Sequence, residues 1–154
     1  MKNQKQQLLI DQTDRKLAVF IPLKDVLIPS KGWIHTFRTT LKMSMRQLGK
    51  RLSISAQSIK EIEEREINQT ISLKSLNEVA NALDMKLVYG FVSKHKSLEQ
   101  MIELRAQEIA QEIVLRTHHS MVLEEQQNSN ERIKKAIVQK TIEIKSEMPK
   151  YLWD

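Results

Sequence analysis

The stretch MRQLGKRLSISAQSIKEIE, residues 45–63, gathers side chains suited to recognition chemistry. Ala56, Gln57, Ser58, Lys60 and Glu61 fall at the start of a short helical segment, with Ile59 and Ile62 as its apolar members. A Gln so placed can make a paired hydrogen bond to an adenine edge, a Lys can reach guanine acceptors, and a small Ala leaves room for a thymine methyl. Leu48 and Leu52 supply the inner face of a preceding helix, and Ile54 lies in the turn between the two. Two short helices, the first bracing the second, are what entry into a major groove asks for. The same pattern also fits a small helical core with a solvated basic face.

The elements that would position these residues follow from caps and periodicity. Ser44 is placed to cap a helix over 45–52, and Ser55 one over 56–66. Trp33, Ile34, Phe37 and Leu41 recur as one face of an earlier helix, with Trp33 expected to pack rather than to stack on a base. After Ser72, residues Leu73, Leu76, Val79, Ala80 and Leu83 form another helical stripe. MKLVYGFV, residues 85–92, is the one predicted strand. Its edge groups would need a partner, the same strand of a second subunit being one candidate.

Helices flank this middle region. The first is predicted over 4–20, with Leu8, Leu9, Leu17, Ala18 and Phe20 apolar, and IPLKDVLIPSKGW follows as an extended linker holding Pro22, Pro29 and Gly32. From Ser97 the helical pattern returns, with Ile102, Ala106, Ile109 and Ile113 on one face, running toward Met121. QQNSN, residues 126–130, is a polar break, and a last helix over 131–147 groups Ile133, Ile137, Ile144 and Met148. The expected fold is all-α with one short strand. Its predicted parts are an N-terminal helix and linker (1–31), a helix-turn-helix domain (32–93) and a C-terminal helical hairpin (94–154).

Charge singles out the middle part. The chain carries a net +6, and residues 31–65 alone hold eight positive charges against three negative ones. Such a patch attracts polyanions. With no Cys there is no disulfide framework and no thiolate metal site, which suits the cytoplasm. The N-terminus lacks a signal-peptide core, and the longest apolar run, LVYGFV, is too short to span a bilayer. No cofactor or metal is expected. His118 and His119 are adjacent, and adjacent helical positions point about 100° apart, whereas ligands on one face want i and i+4. His35 and His95 have no acidic or His cluster at such spacing. No Gly-rich phosphate cradle or nucleophile elbow is present, and Glu99, Glu103, Glu108 and Glu112 read as a solvated helix face, so an enzyme is not expected.

Residues 33–92 resemble the phage-repressor (XRE, Cro/C1-type) helix-turn-helix domain, on the pattern QLGKRLSISAQSIKEIE. The wider chain resembles the mobile mystery protein A family on GWIHTFRTTLKMSMRQLGKRL, ISLKSLNEVANALDMKLVYGFV, SLEQMIELRAQEIA, MVLEEQ and YLWD. That resemblance implies a transcriptional regulator that binds double-stranded operator DNA as a homodimer and represses its own transcription unit. It also implies an antitoxin-like role beside a Fic-domain partner. Carried onto this chain, it makes Gln57 the principal base reader, with Ala56, Lys60 and Glu61 as neighbours. Ser44, Arg46, Lys50, Ser58 and Asn68 would approach phosphates, and Arg38 and Glu63 would form a buried ion pair. Two departures stand out: Ser53 occupies a turn position often held by Gly, and the loop EINQTISL lacks one. The C-terminal hairpin is expected to serve dimer formation or the Fic-type partner, with MVLEEQ and YLWD as the segments to test and Trp153 anchoring its end. The rival reading is a protein-interaction module that neutralises a partner and binds DNA weakly or not at all.

Overall fold

The computed structural model describes residues 2–121 and 129–154. Most of the polar break at 126–130, and all of MVLEEQ beyond Met121, lie outside the described residues. Every regular element described is helical: α1 (Lys2–Leu17), α2 (Trp33–Thr40), α3 (Met45–Leu52), α4 (Ala56–Ile67), α5 (Leu73–Ala82), α6 (Leu98–Met121) and α7 (Ser129–Glu147). Short 3-10 stretches occupy Ala18–Leu23 and Lys150–Trp153. The chain divides into two compact units, one of residues 22–90, the other of residues 1–21 with 91–154.

Two expectations change. Residues 85–92 form no strand: beyond the Met85 N–H, which bonds back to the Ala80 carbonyl, their backbone has no hydrogen-bonded partner among the described residues, and a strand exists only in a ladder. The N-terminal helix is not a segment apart, because α1 belongs to the unit of α6 and α7. Its inward side takes a residue not among the apolar members named for it. Ile10 is buried while Leu8 and Leu9 are exposed, and Asp14 shares the inward side. The reason is a cap. The Asp14 carboxylate accepts from the backbone N–H groups of Leu98 at 2.8 Å and Glu99 at 3.4 Å, neutralising free donors at the start of α6.

In this unit α6 and α7 run antiparallel: Lys145, near the end of α7, lies 3.2 Å from Glu99 and 3.3 Å from Glu103, near the start of α6. Partial burial disfavours the Lys145 ammonium, but the hydrogen bonds it donates to both carboxylates overcome this and hold it above the ordinary lysine value. The core joins Ile10, Ile102, Ala106, Ile109, Ala110, Ile144 and Leu152, with Ile113, Ile137 and Met148 against it. The small Ala106 and Ala110 are fully buried. The chain end is anchored, though not by Trp153, which is exposed. Leu152 fills the core, and Arg105 donates to the carbonyls of Leu152 (2.8 Å) and Asp154 (2.6 Å).

The other unit holds α2 to α5 around Ile34, Leu48, Ile59, Val79 and Leu83, with Phe37, Leu52, Ile62 and Leu76 packed on them. Trp33 stacks on Phe37, ring centroids 5.5 Å apart. Leu41 leaves the expected face because α2 stops at Thr40 and Leu41 is its exposed C-cap. Helices here end without glycine. Lys42, Ser53, Gln69 and Asp84 adopt positive φ just past α2, α3, α4 and α5, at 53°, 57°, 58° and 60°. The glycine missing from EINQTISL is thus replaced by Gln69, at some conformational cost.

Candidate nucleic-acid interface

The caps of α3 and α4 set the geometry. Ser44 Oγ accepts from Gln47 N–H at 3.1 Å, while Gln47 Oε1 accepts from Ser44 N–H at 2.7 Å, a reciprocal capping box. Helix α3 closes on Ser53, whose φ of 57° and ψ of 38° turn the chain into Ser55, the cap of α4. Ser55 Oγ accepts from Ser58 N–H at 3.0 Å. Leu48 and Ile59, both fully buried, lock the two helices together.

This arrangement brings most of the sequence-derived residues to the surface. Gln57, Lys60 and Glu61 on α4, and Arg46 and Lys50 on α3, are exposed. Among the described residues their side chains hold no hydrogen bond or ion pair, so they are available to an outside ligand. Ala56 is half-buried and Asn68, the C-cap of α4, is exposed. The two serines differ. Ser44 is exposed but its hydroxyl caps α3, and half-buried Ser58 has its hydroxyl 2.9 Å from that of Ser55. A phosphate would meet these serines as parts of caps, through the helix N-termini they organise.

Arg38 and Glu63 are brought together and buried. Arg38 donates from Nε to Glu63 Oε1 at 2.6 Å and from its NH2 group to Oε2 at 3.2 Å, and its NH1 group donates to the Met43 carbonyl at 3.1 Å. His35 Nδ1 lies 3.1 Å from the same carboxylate. Burial alone would push the Glu63 carboxyl up. Hydrogen bonds from Arg38 and His35, together with the Arg38 charge, outweigh burial and hold it below the ordinary glutamate value. The triad ties α2 to α4.

Four further residues shape this site without having been given a role in it by the sequence. Gly49 lies inside α3, where a Cβ would stand 2.6 Å from the Ile54 carbonyl oxygen, so the turn can approach only a glycine. A glycine kept mid-helix despite its propensity cost was a usable signal. Glu66 caps α2, accepting from Trp33 N–H at 2.8 Å and Ile34 N–H at 2.9 Å. Gly32, at φ 81°, leaves the space that the Glu66 carboxylate fills. His35 joins Glu63 across 28 positions of sequence, beyond the reach of any local pattern.

Among the described residues no three His, Asp or Glu side chains are grouped to hold a metal ion. No helix described is long and apolar enough to cross a membrane. Comparisons with protein-family models, with curated proteins and with solved structures found no match.

Proposed function

We propose that this chain is a sequence-specific DNA-binding transcriptional regulator, reading double-stranded operator DNA as a homodimer. The observation that carries the reading is the start of α4. Exposed, unengaged Gln57, Lys60 and Glu61 follow a left-handed turn at Ser53, on two helices locked by Leu48 and Ile59. That arrangement meets the demands of a braced recognition helix. The net +5 of residues 31–65 supplies attraction to phosphates. Autorepression and an antitoxin-like partnership with a Fic-domain protein rest on the family resemblance.

The test is titration of the chain with its own upstream DNA and a scrambled control at two salt concentrations. Gln57→Ala should lose about 1–3 kcal/mol on the specific site and little on the control. Arg46→Ala should weaken both and reduce the salt slope by about 1. Equal losses on both DNAs in both variants would defeat the base-reading assignment. The interaction-module reading has its own support: Val138 and Ile142 lie one helical turn apart on α7, and both are exposed. It leads if wild-type binding is weak, equal on both DNAs and abolished by salt.

A further inference from the structure

The segment after α5 is unusual for what it leaves unsatisfied. Met85 N–H donates to the Ala80 carbonyl, ending the helix, and the next described hydrogen bond in the chain is from His95 N–H to Ser93 Oγ. Between them, among the described residues, no backbone group has a hydrogen-bonded partner. Two of the side chains are uncovered as well: Val88 is 67% exposed and Tyr89 65%, while Leu87 is half-buried. Residues 85–90, MKLVYG, hold one charge, Lys86. An apolar segment with a free row of N–H and C=O groups is a template for strand addition.

We infer that a second copy of this chain covers it, through an antiparallel pairing centred on Val88. The inference deepens the homodimer of the proposed function and rests on that reading. Self-complementarity argues for a copy as occupant. An isologous contact places the same segment on both sides of a two-fold axis. Centred on Val88, the register sets Leu87 opposite Tyr89, an aliphatic–aromatic pair of the kind that stabilises sheets. It sets Lys86 opposite Gly90, so the lysine stem covers the residue without a side chain, and the two lysines avoid each other. The β-branched and aromatic residues that predicted a strand in the sequence then form one only in the dimer, where the ladder has its other half.

The chain has no cysteine, which makes single-cysteine variants clean probes. Under mild oxidation of the full chain, Val88→Cys should cross-link to a dimer. A mixture of Leu87→Cys and Tyr89→Cys chains should cross-link to each other, and exposed Lys74→Cys on α5 should not. Val88→Pro and Tyr89→Pro are read by sedimentation; in an antiparallel ladder one of the two must remove an N–H that points at the partner. At least one should raise the dimer dissociation constant about tenfold or more. Because Val88 and Tyr89 are exposed and unbonded within the chain, both variants should keep the wild-type thermal unfolding midpoint when all are measured at concentrations below the dimer dissociation constant, where association adds no stability. A monomeric wild-type chain overturns the inference. So does a dimer that cross-links at none of these positions and is unmoved by either proline. DNA titration of the same samples separates the two claims. A cross-linked dimer without specific DNA binding keeps the pairing and removes the regulator. Specific binding by a dimer that does not cross-link does the reverse.

Discussion

Glu63→Gln tests whether the buried triad holds α4 in place. The Glu63 side chain is 7% exposed and takes two guanidinium bonds from Arg38, at 2.6 Å and 3.2 Å, with His35 at 3.1 Å. The amide keeps one acceptor oxygen, so one Arg38 bond can survive. Its NH2 group then faces a donor, and the Arg38 charge is left with the Met43 carbonyl. Losing one partner of a buried pair costs about 3–5 kcal/mol. The retained acceptor places the expected loss near the lower bound, about 3 kcal/mol. Arg38→Met with Glu63→Leu strands no charge, so the pair of changes should cost less than about 1 kcal/mol. Urea unfolding at neutral pH in a Trp153→Phe background leaves Trp33 as the sole tryptophan, reporting the unit of α2 to α5. The sign of the pH effect follows from Glu63 being held below its ordinary value of 4.5. Its contribution is present above that value and is lost as pH falls through the lower, folded one. Stability of the parent should therefore fall more steeply below pH 4.5 than that of Glu63→Gln. A loss under about 1 kcal/mol, or a double change as costly as the two singles summed, would refute the coupling.

The backbone offers two opposite tests in the turn between α3 and α4. Ser53→Gly should raise stability by about 0.5–1 kcal/mol in the same urea assay, because glycine adopts φ 57° without the penalty of a Cβ. Gly49→Ala should lower it by about 1–3 kcal/mol, since the added Cβ would stand 2.6 Å from the Ile54 oxygen. In the other unit, thermal unfolding followed by circular dichroism should separate neighbours at the chain end. Leu152→Ala should cost about 2–5 kcal/mol as a cavity in the core, and Trp153→Ala less than about 1 kcal/mol because the residue is 54% exposed.

Local chemistry carried the middle of the molecule. Ser44, Ser55 and Ser72 each accept a hydrogen bond from the backbone N–H three residues on, as their types and positions required. The stripe of Val79 and Leu83 on α5 and the inner Leu48 of α3 lie in the core because helical period alone decides which side chains share a face. Arg38 and Glu63 were legible for a different reason: the family resemblance supplied the pairing, since no local rule links positions 25 apart.

The tertiary arrangement settled what depends on distant neighbours. Asp14 faces the start of α6 because that helix needs a cap, a contact that a list of the apolar residues of α1 does not contain. The anchored end belongs to Leu152 rather than Trp153 because Arg105, on α6, holds the Leu152 carbonyl. Residues 85–92 have the composition of a strand and remain without one, since composition favours an extended chain while a ladder needs a second strand beside it. Caps and periods act within about four residues, and the sequence therefore specifies them directly. Burial, pairing and the choice between two apolar faces are properties of the neighbour, and they exist only once the chain has brought that neighbour into place.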